Sequence, residues 1–449
     1  MAGGIRSLAA SIRSRPGVQA VLRNLGWLLA SRSVLAILSL FYLGFAARTL
    51  GVVDFGRFAL ITGASQALAI FVGFQTWQII VQYGVDPLQR GDTPRLARLL
   101  RGCALLDLTG ALIGVALTVA ILRVGAGPLG IPPDLTRDTL IFAVIQLVSV
   151  RSTPLGILRL RDKFSLSALA DSITPIVRFV GAGAAMLFDP SVRGFMIAWA
   201  AAELLTAATY WVLVARSGDL GLIGRARTGF GQLVDENPGI VGFAVSTNAS
   251  ATLGLSSKQF PLLLVGAAAG PSAAGIFRLA AQLAQALAKV SQLIARAAFP
   301  EVVRLARTAS PRRLGRILPR TYLVSGLAAL AIMAVVVLAG RQVLSLIGGK
   351  TFGDAYPMLL WLTAAGCMEM IVISAETVLT ALHRAGVVFA IRAVAAALML
   401  AGALILMPLY AASGAAMAVF AGSAVVALLL GIAARRITRV SADDEIIDG

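Results

Sequence analysis

Arg278, Gln282, Gln285, Lys289, Gln292 and Arg296 follow one another at intervals of 4, 3, 4, 3 and 4 residues. That spacing keeps all six on one face of an α-helix. From Arg278 to Arg296 is 18 steps, about 27 Å at 1.5 Å per residue, close to the thickness of a bilayer's hydrocarbon core. The residues between them are mostly Leu, Ala and Val. A central Arg or Lys costs about 2.5–3.5 kcal/mol even on the lenient insertion scale, so three on one lipid-facing stripe are excluded. The face must line water, protein or an anion. Structural pairing would require a carboxylate for each cation, and the acids inside apolar stretches are Asp107, Asp171, Glu203, Glu369 and Glu376. Against them stand Arg32, Arg151, Arg178, Lys258, Arg278, Lys289, Arg296 and Arg392, an excess of three positive charges. Arg296 and Arg392 are placed to snorkel to an interface. A positive interior suits an anionic substrate and argues against a cation carrier.

Other polar groups occupy otherwise apolar surroundings. Arg32 sits in Ser31-Arg32-Ser33. The stretch around Thr247, Asn248, Ser250, Thr252, Ser256, Ser257, Lys258 and Gln259 is too polar to face lipid, and Gln75, Gln78 and Gln82 share a face. Such groups either line a lumen or hydrogen-bond between helices. Glu369, Glu376 and His383 are spaced by seven. This face admits a proton or coupling-ion site, or salt bridges to cations of the eighth apolar stretch. His383, beside Arg384, reads as a solvated helix end. Pro154 and Pro175 predict kinks. Cys103 and Cys367 have neither disulfide nor metal-ligand spacing, and a single histidine leaves no metal site or Ser-His triad. There is no Walker loop, so no nucleotide cofactor is implied.

These residues lie in a chain of 449, of which 58% is apolar and 13% charged. Globular domains carry about 25% charged residues. A soluble enzyme, a secreted disulfide scaffold and a DNA-binding factor are therefore excluded. The net charge of +18 is spread between apolar segments, so no nucleic-acid partner is expected. Arg6, Arg13 and Arg15 interrupt any leader-like hydrophobic run, and no cleavable signal peptide is expected. Twelve apolar stretches predict transmembrane helices near 24–47, 57–81, 102–122, 138–158, 165–188, 194–215, 238–264, 273–299, 321–347, 355–380, 387–408 and 413–434. Alternating ten-residue strands, which a barrel would need, are absent from the sequence pattern. With the N-terminus cytoplasmic, 24 of the 39 Lys and Arg fall in cytoplasmic segments and seven in external ones. That asymmetry predicts both termini in the cytoplasm.

Gly51, Gly56, Phe58 and Leu60 spell G-x4-G-x-F-x-L, and Gly270, Gly275, Phe277 and Leu279 spell it again 219 residues later. The expected fold is all-α and polytopic: two parallel six-helix lobes related by a pseudo-two-fold along the membrane normal, with substrate between them. The boundaries are an N-terminal lobe over 1–215, a cytoplasmic linker over 216–237, a C-terminal lobe over 238–434 and an acidic cytoplasmic tail over 435–449. The arginine-rich segment 300–320 is expected to hold orientation against anionic lipid.

The stretch from Asn24 through Gly26-Trp27, Ser31-Arg32, Ala47-Arg48-Thr49-Leu50-Gly51 and Asp54-Phe55-Gly56 resembles the opening of polysaccharide-export flippases of the multidrug/oligosaccharidyl-lipid/polysaccharide (MOP) exporter superfamily. Ala274-Gly275-Ile276-Phe277-Arg278-Leu279 leading to Pro300 is similar too, as is Gly349-Lys350-Thr351-Phe352 before Tyr356-Pro357. The resemblance implies a MATE-like, V-shaped pair of lobes, a bacterial cytoplasmic (inner) membrane location, no cofactor and no enzymatic activity. It implies a polyprenyl-pyrophosphate-linked oligosaccharide as substrate, turned from the inner to the outer leaflet for O-antigen, lipopolysaccharide or exopolysaccharide synthesis. Membrane lipids, a polysaccharide polymerase and a chain-length regulator are the implied partners. By motif position Arg32 and Arg278 match arginines of the lipid II flippases. The two additional C-terminal helices of those proteins are missing here, which favours the polysaccharide branch. On this reading Arg32, Lys258, Arg278, Lys289, Gln282 and Gln285 form the cationic lumen, and Asp107, Asp171, Glu203, Glu369 and Glu376 serve ion coupling or ion pairing. Two rivals remain: a cation-coupled multidrug antiporter of the same plan, and a polymerase or ligase. The latter would need an external loop larger than 123–137.

Overall fold

A computed structural model describes residues 16–125, 133–225, 230–298, 311–381 and 384–447, with side chains from residue 38 onward except 289–298, 311–321, 437–447 and scattered single positions. Among the described residues every regular element is helical. In hydrocarbon this is forced, because a helix satisfies its own backbone hydrogen bonds. The elements are α1 (Pro16–Val72), α2 (Thr76–Gln89), α3 (Thr93–Gly125), α4 (Pro133–Val148), α5 (Ser152–Leu160), α6 (Phe164–Phe188) and α7 (Val192–Arg216). Two short helices follow, α8 (Asp219–Arg225) and α9 (Phe230–Glu236). Then come α10 (Ile240–Ser256), α11 (Phe260–Ala298), α12 (Pro311–Gly348), a 3₁₀ turn (Lys350–Ala355), α13 (Tyr356–Ala381) and α14 (Ala385–Ile447). Nine helical segments among the described residues are long and apolar enough to cross a membrane, two of them exceeding 50 residues.

Segments of that length must fold back, since about 20 residues suffice for one crossing. α1 reverses at Gly51 (φ 69°, ψ −177°), α11 at Gly270 (φ 79°, ψ 178°) and α14 at Ala411 (φ 49°, ψ −136°). All three reversals fall in gaps between predicted stretches. The two glycines open the duplicated motif and share one backbone conformation, which requires positive φ and so suits glycine. The next motif glycine lets the copies meet. A Cβ on Gly56 would lie 1.7 Å from the carbonyl oxygen of Pro271, and one on Gly275 would lie 2.5 Å from that of Val52. Phe58 and Phe277, also paired by the motif, are both fully buried. Close helix approach through small residues is what drives packing where water supplies no hydrophobic force.

Three predicted spans prove discontinuous. Backbone helix is interrupted at 73–75 between α1 and α2, at 149–151 between α4 and α5, and at 257–259 between α10 and α11. The second break had a signal in the sequence: Ser152-Thr153-Pro154 is a helix-start pattern, and Pro154 sits in the first turn of α5 rather than kinking a continuous helix. Pro175 does lie inside α6. Segment 216–237 is no free tether. Leu233 of α9 is buried with Leu99, Leu100 and Cys103 of α3, and Asp219 of α8 is joined to Arg161 at 2.5 Å. Large apolar residues such as Leu338 (77% exposed) and Leu187 (74%) form the outer belt facing lipid.

Candidate functional site

The charged residues inside the membrane gather into two clusters. In the first, Glu203 of α7 is only 2% exposed and stands between two arginines. Arg178 of α6 reaches its Oε1 at 2.6 Å, and Arg151 reaches Oε2 at 3.0 Å. Gln146 adds a hydrogen bond at 3.3 Å. The break at 149–151 leaves Arg151 at the head of α5, which frees its side chain to turn toward Glu203. Arg178 also lies over Trp199, 5.2 Å from the ring centroid, with Tyr42 at 6.0 Å. Those rings pack edge to face at 5.0 Å and belong to α7 and α1. Arg278 of α11 is half-buried and has no ion pair or hydrogen bond among the described residues. Gln282, one turn on, donates to Ser39 of α1 at 3.4 Å, while Gln285 is exposed.

The second cluster inverts the signs. Arg392 of α14 lies 3.1 Å from Glu369 and 2.6 Å from Glu376, both on α13. Arg392 is therefore a partner of both acids and does not snorkel. The spacing of seven correctly put the acids on one face. All three residues line a cavity of about 340 Å³ together with Ser250 and Ser257 of the α10 region. A second cavity of about 490 Å³ adjoins it, sharing Leu253, Phe389 and Ala396, and is lined by Asn248, Thr252, Phe71 and Phe74. The polar face of the seventh stretch thus lines these spaces. Lys258 is exposed in the turn after α10, and Arg278, Gln282 and Gln285 are in neither wall. The side chains of Arg32, Lys289, Gln292 and Arg296, and His383 altogether, lie outside the described residues.

The two remaining acids have neutral partners. Asp171 accepts from the Tyr210 hydroxyl at 2.7 Å. Asp107 of α3 accepts from Thr76 Oγ1 at 2.9 Å on both oxygens, from Thr153 Oγ1 at 2.7 Å and from Thr153 N at 3.0 Å. Thr76 and Thr153 begin α2 and α5, so one carboxylate meets the positive ends of two half-helices. Trp77 N donating to Ser152 Oγ at 3.1 Å ties the same two breaks together. Sequence spacing missed this junction, since its three members come from separate spans. It also missed Arg48 of the motif, which donates to the carbonyls of Leu346 and Ile347 at the end of α12.

A polytopic helical bundle, bent at duplicated glycines and carrying cavities lined by ionic side chains, defines a many-span helical membrane protein. The fold agrees. It is similar to the inward-facing conformation of a multidrug resistance MATE family transporter of the MOP superfamily, with TM-score 0.72, 15% identity and coverage of 92% of this chain and 99% of that one. It is also similar to the lipid II flippase MurJ in an inward closed conformation, with TM-score 0.67, 12% identity and coverage of 91% and 87%. Residues 21–306 match the polysaccharide biosynthesis protein family, and the chain belongs to it. Inner membrane protein YghQ of Escherichia coli (strain K12) is 28% identical over 341 residues, covering 76% of this chain and 95% of that protein.

Proposed function

We propose that this protein is a flippase that moves a polyprenyl-pyrophosphate-linked oligosaccharide from the inner to the outer leaflet of the bacterial cytoplasmic membrane. Two six-helix lobes, 1–215 and 238–434, alternate access around a shared lumen, with both termini cytoplasmic. The observation that carries this reading is Arg278: half-buried and without a carboxylate partner among the described residues. Arg151 and Arg178 already share Glu203, so an arriving pyrophosphate supplies the negative charge that Arg278 is missing and accepts its unspent guanidinium donors. Arg32, Lys258, Lys289, Gln282 and Gln285 extend the cationic surface along the lumen, and the prenyl tail stays in lipid. Outward passage of two negative charges is favoured by about 4–5 kcal/mol at 100 mV, inside negative. O-antigen or exopolysaccharide precursors are the substrates, handed on to a polymerase and a chain-length regulator.

Glu203, Glu369 and Glu376 act as ion-pair members, while Asp107 and Asp171, hydrogen-bonded by neutral groups among the described residues, are the coupling-ion candidates. A cation-coupled multidrug antiporter is the second reading, favoured by one observation: carboxylates, Glu369 and Glu376, line the cavity at Arg392. Arg278→Gln decides between the two. In a flippase-null strain it abolishes export of surface polysaccharide at unchanged membrane abundance, and it stops inward-to-outward transfer of a polyprenyl-pyrophosphate oligosaccharide in vesicles. Full export by this variant removes Arg278 from the mechanism. Lost drug resistance with export intact favours the antiporter.

A further inference from the structure

At one membrane face, α3 begins with Arg95, Arg98 and Arg101, and α8 and α9 lie across it. Leu233 of α9 seats on Gly102, where a Cβ would come within 2.6 Å of its side chain. Arg98 fixes α9 by a two-point contact with Glu236, at 2.6 and 3.0 Å. This arrangement leaves an apolar cavity of about 260 Å³ beneath α9, between α3 and α10, lined by Cys103, Leu105, Leu106, Leu233, Val241 and Ala244. Leu105 and Val241 are 43% and 46% exposed, so the cavity opens sideways to the acyl chains of the bilayer.

The three arginines are not in the cavity wall but hold the α8 and α9 segments beside it, and of them only Arg98 has a carboxylate within ion-pair distance among the described residues. Arg101 donates to the carbonyls of Ile223 and Gly224 at 3.4 and 3.3 Å. Arg95 donates to the Glu236 carbonyl and the Asn237 side chain, and its Nε is buried with no partner. Asp92 and Asp235 are exposed nearby and form no ion pair with either guanidinium. A guanidinium carries five donors and one full charge, and carbonyls leave that charge uncompensated. A basic cluster beside an apolar slot between transmembrane helices suits an anionic phospholipid.

We propose that this cavity is an anionic phospholipid site: one acyl chain enters between α3 and α10, and the phosphate sits on Arg101 and Arg95. The site is independent of which substrate the transporter carries. The full chain is reconstituted in vesicles of phosphatidylcholine and phosphatidylglycerol, and native mass spectrometry of the released protein reads which lipid stays bound. Phosphatidylglycerol is retained several-fold over phosphatidylcholine. Arg101→Gln removes that preference, whereas Val241→Trp fills the slot and removes the retained lipid. Retention without headgroup preference, or retention unchanged in Val241→Trp, overturns the proposal. Retention of an added polyprenyl phosphate in place of phosphatidylglycerol also overturns it and assigns the slot to the substrate tail. The measurement on the unmodified chain decides the matter even if Arg101→Gln fails to fold.

Discussion

Glu203 between two arginines and Arg392 between two glutamates are the same triad with the charges exchanged, yet their surroundings differ. Glu203 is 2% exposed and Arg178 20%, whereas Arg392, Glu369 and Glu376 are each 30–34% exposed around a cavity. Glu203 has no water to fall back on, although its partner Arg151 is 38% exposed. An ion in the second cluster does. Burial, more than the number of ion pairs, therefore sets how much each triad matters to folding. The balance of charge follows the same division. The first cluster sets two guanidiniums about one carboxylate, and among the described residues the second gathers Glu369 and Glu376 about Arg392 beside Ser250 and Ser257.

The strongest test of this contrast is Glu203→Gln. It strands Arg178 beside Arg151, and breaking a buried pair costs about 3–5 kcal/mol. Thermal unfolding of the purified protein in detergent should show a larger drop than for any change in the Arg392 cluster. A smaller drop than for Glu376→Gln would reverse the comparison. Gly56→Ala is a control outside both clusters. Its Cβ would stand 1.7 Å from the Pro271 carbonyl oxygen, so the helices must separate, at about 1–3 kcal/mol for overpacking. Gly183→Ala, where nothing lies within 4 Å, should leave unfolding unchanged.

Glu376→Gln should cost about 1 kcal/mol or less, because Glu369 still neutralises Arg392 and water reaches the site. Unfolding measured at low and high salt would sharpen this, with the wild-type advantage shrinking as salt rises. Smallest among the cluster variants should be the joint replacement Glu369→Gln, Glu376→Gln and Arg392→Met. Removing every charge of a triad together is often neutral. If the triple variant unfolds far below Glu376→Gln, the second cluster is structural and the contrast fails.

Sequence patterns reached some of these features and stopped at others for identifiable reasons. The G-x4-G-x-F-x-L repeat was visible in one dimension. Its meaning, that Gly56 and Gly275 carry no side chain because each abuts the other copy's backbone, is a contact between residues 219 apart. Glu369 and Glu376 were placed on one face by periodicity, which is a property of a single helix. Arg392 was assigned to an interface because periodicity says nothing about how a neighbouring helix is rotated. Asp107 stood out as an intramembrane acid, but its donors begin two half-helices whose breaks hydropathy averages away.

Composition, apolar length and the spacing of charges were enough to establish a many-span helical membrane protein with cations in its interior. Those are local quantities: hydropathy over a window, and angle per residue along one helix. Which charges meet, which helices break and what the cavities are lined by were decided by tertiary packing, because each depends on the distance between groups far apart in the chain.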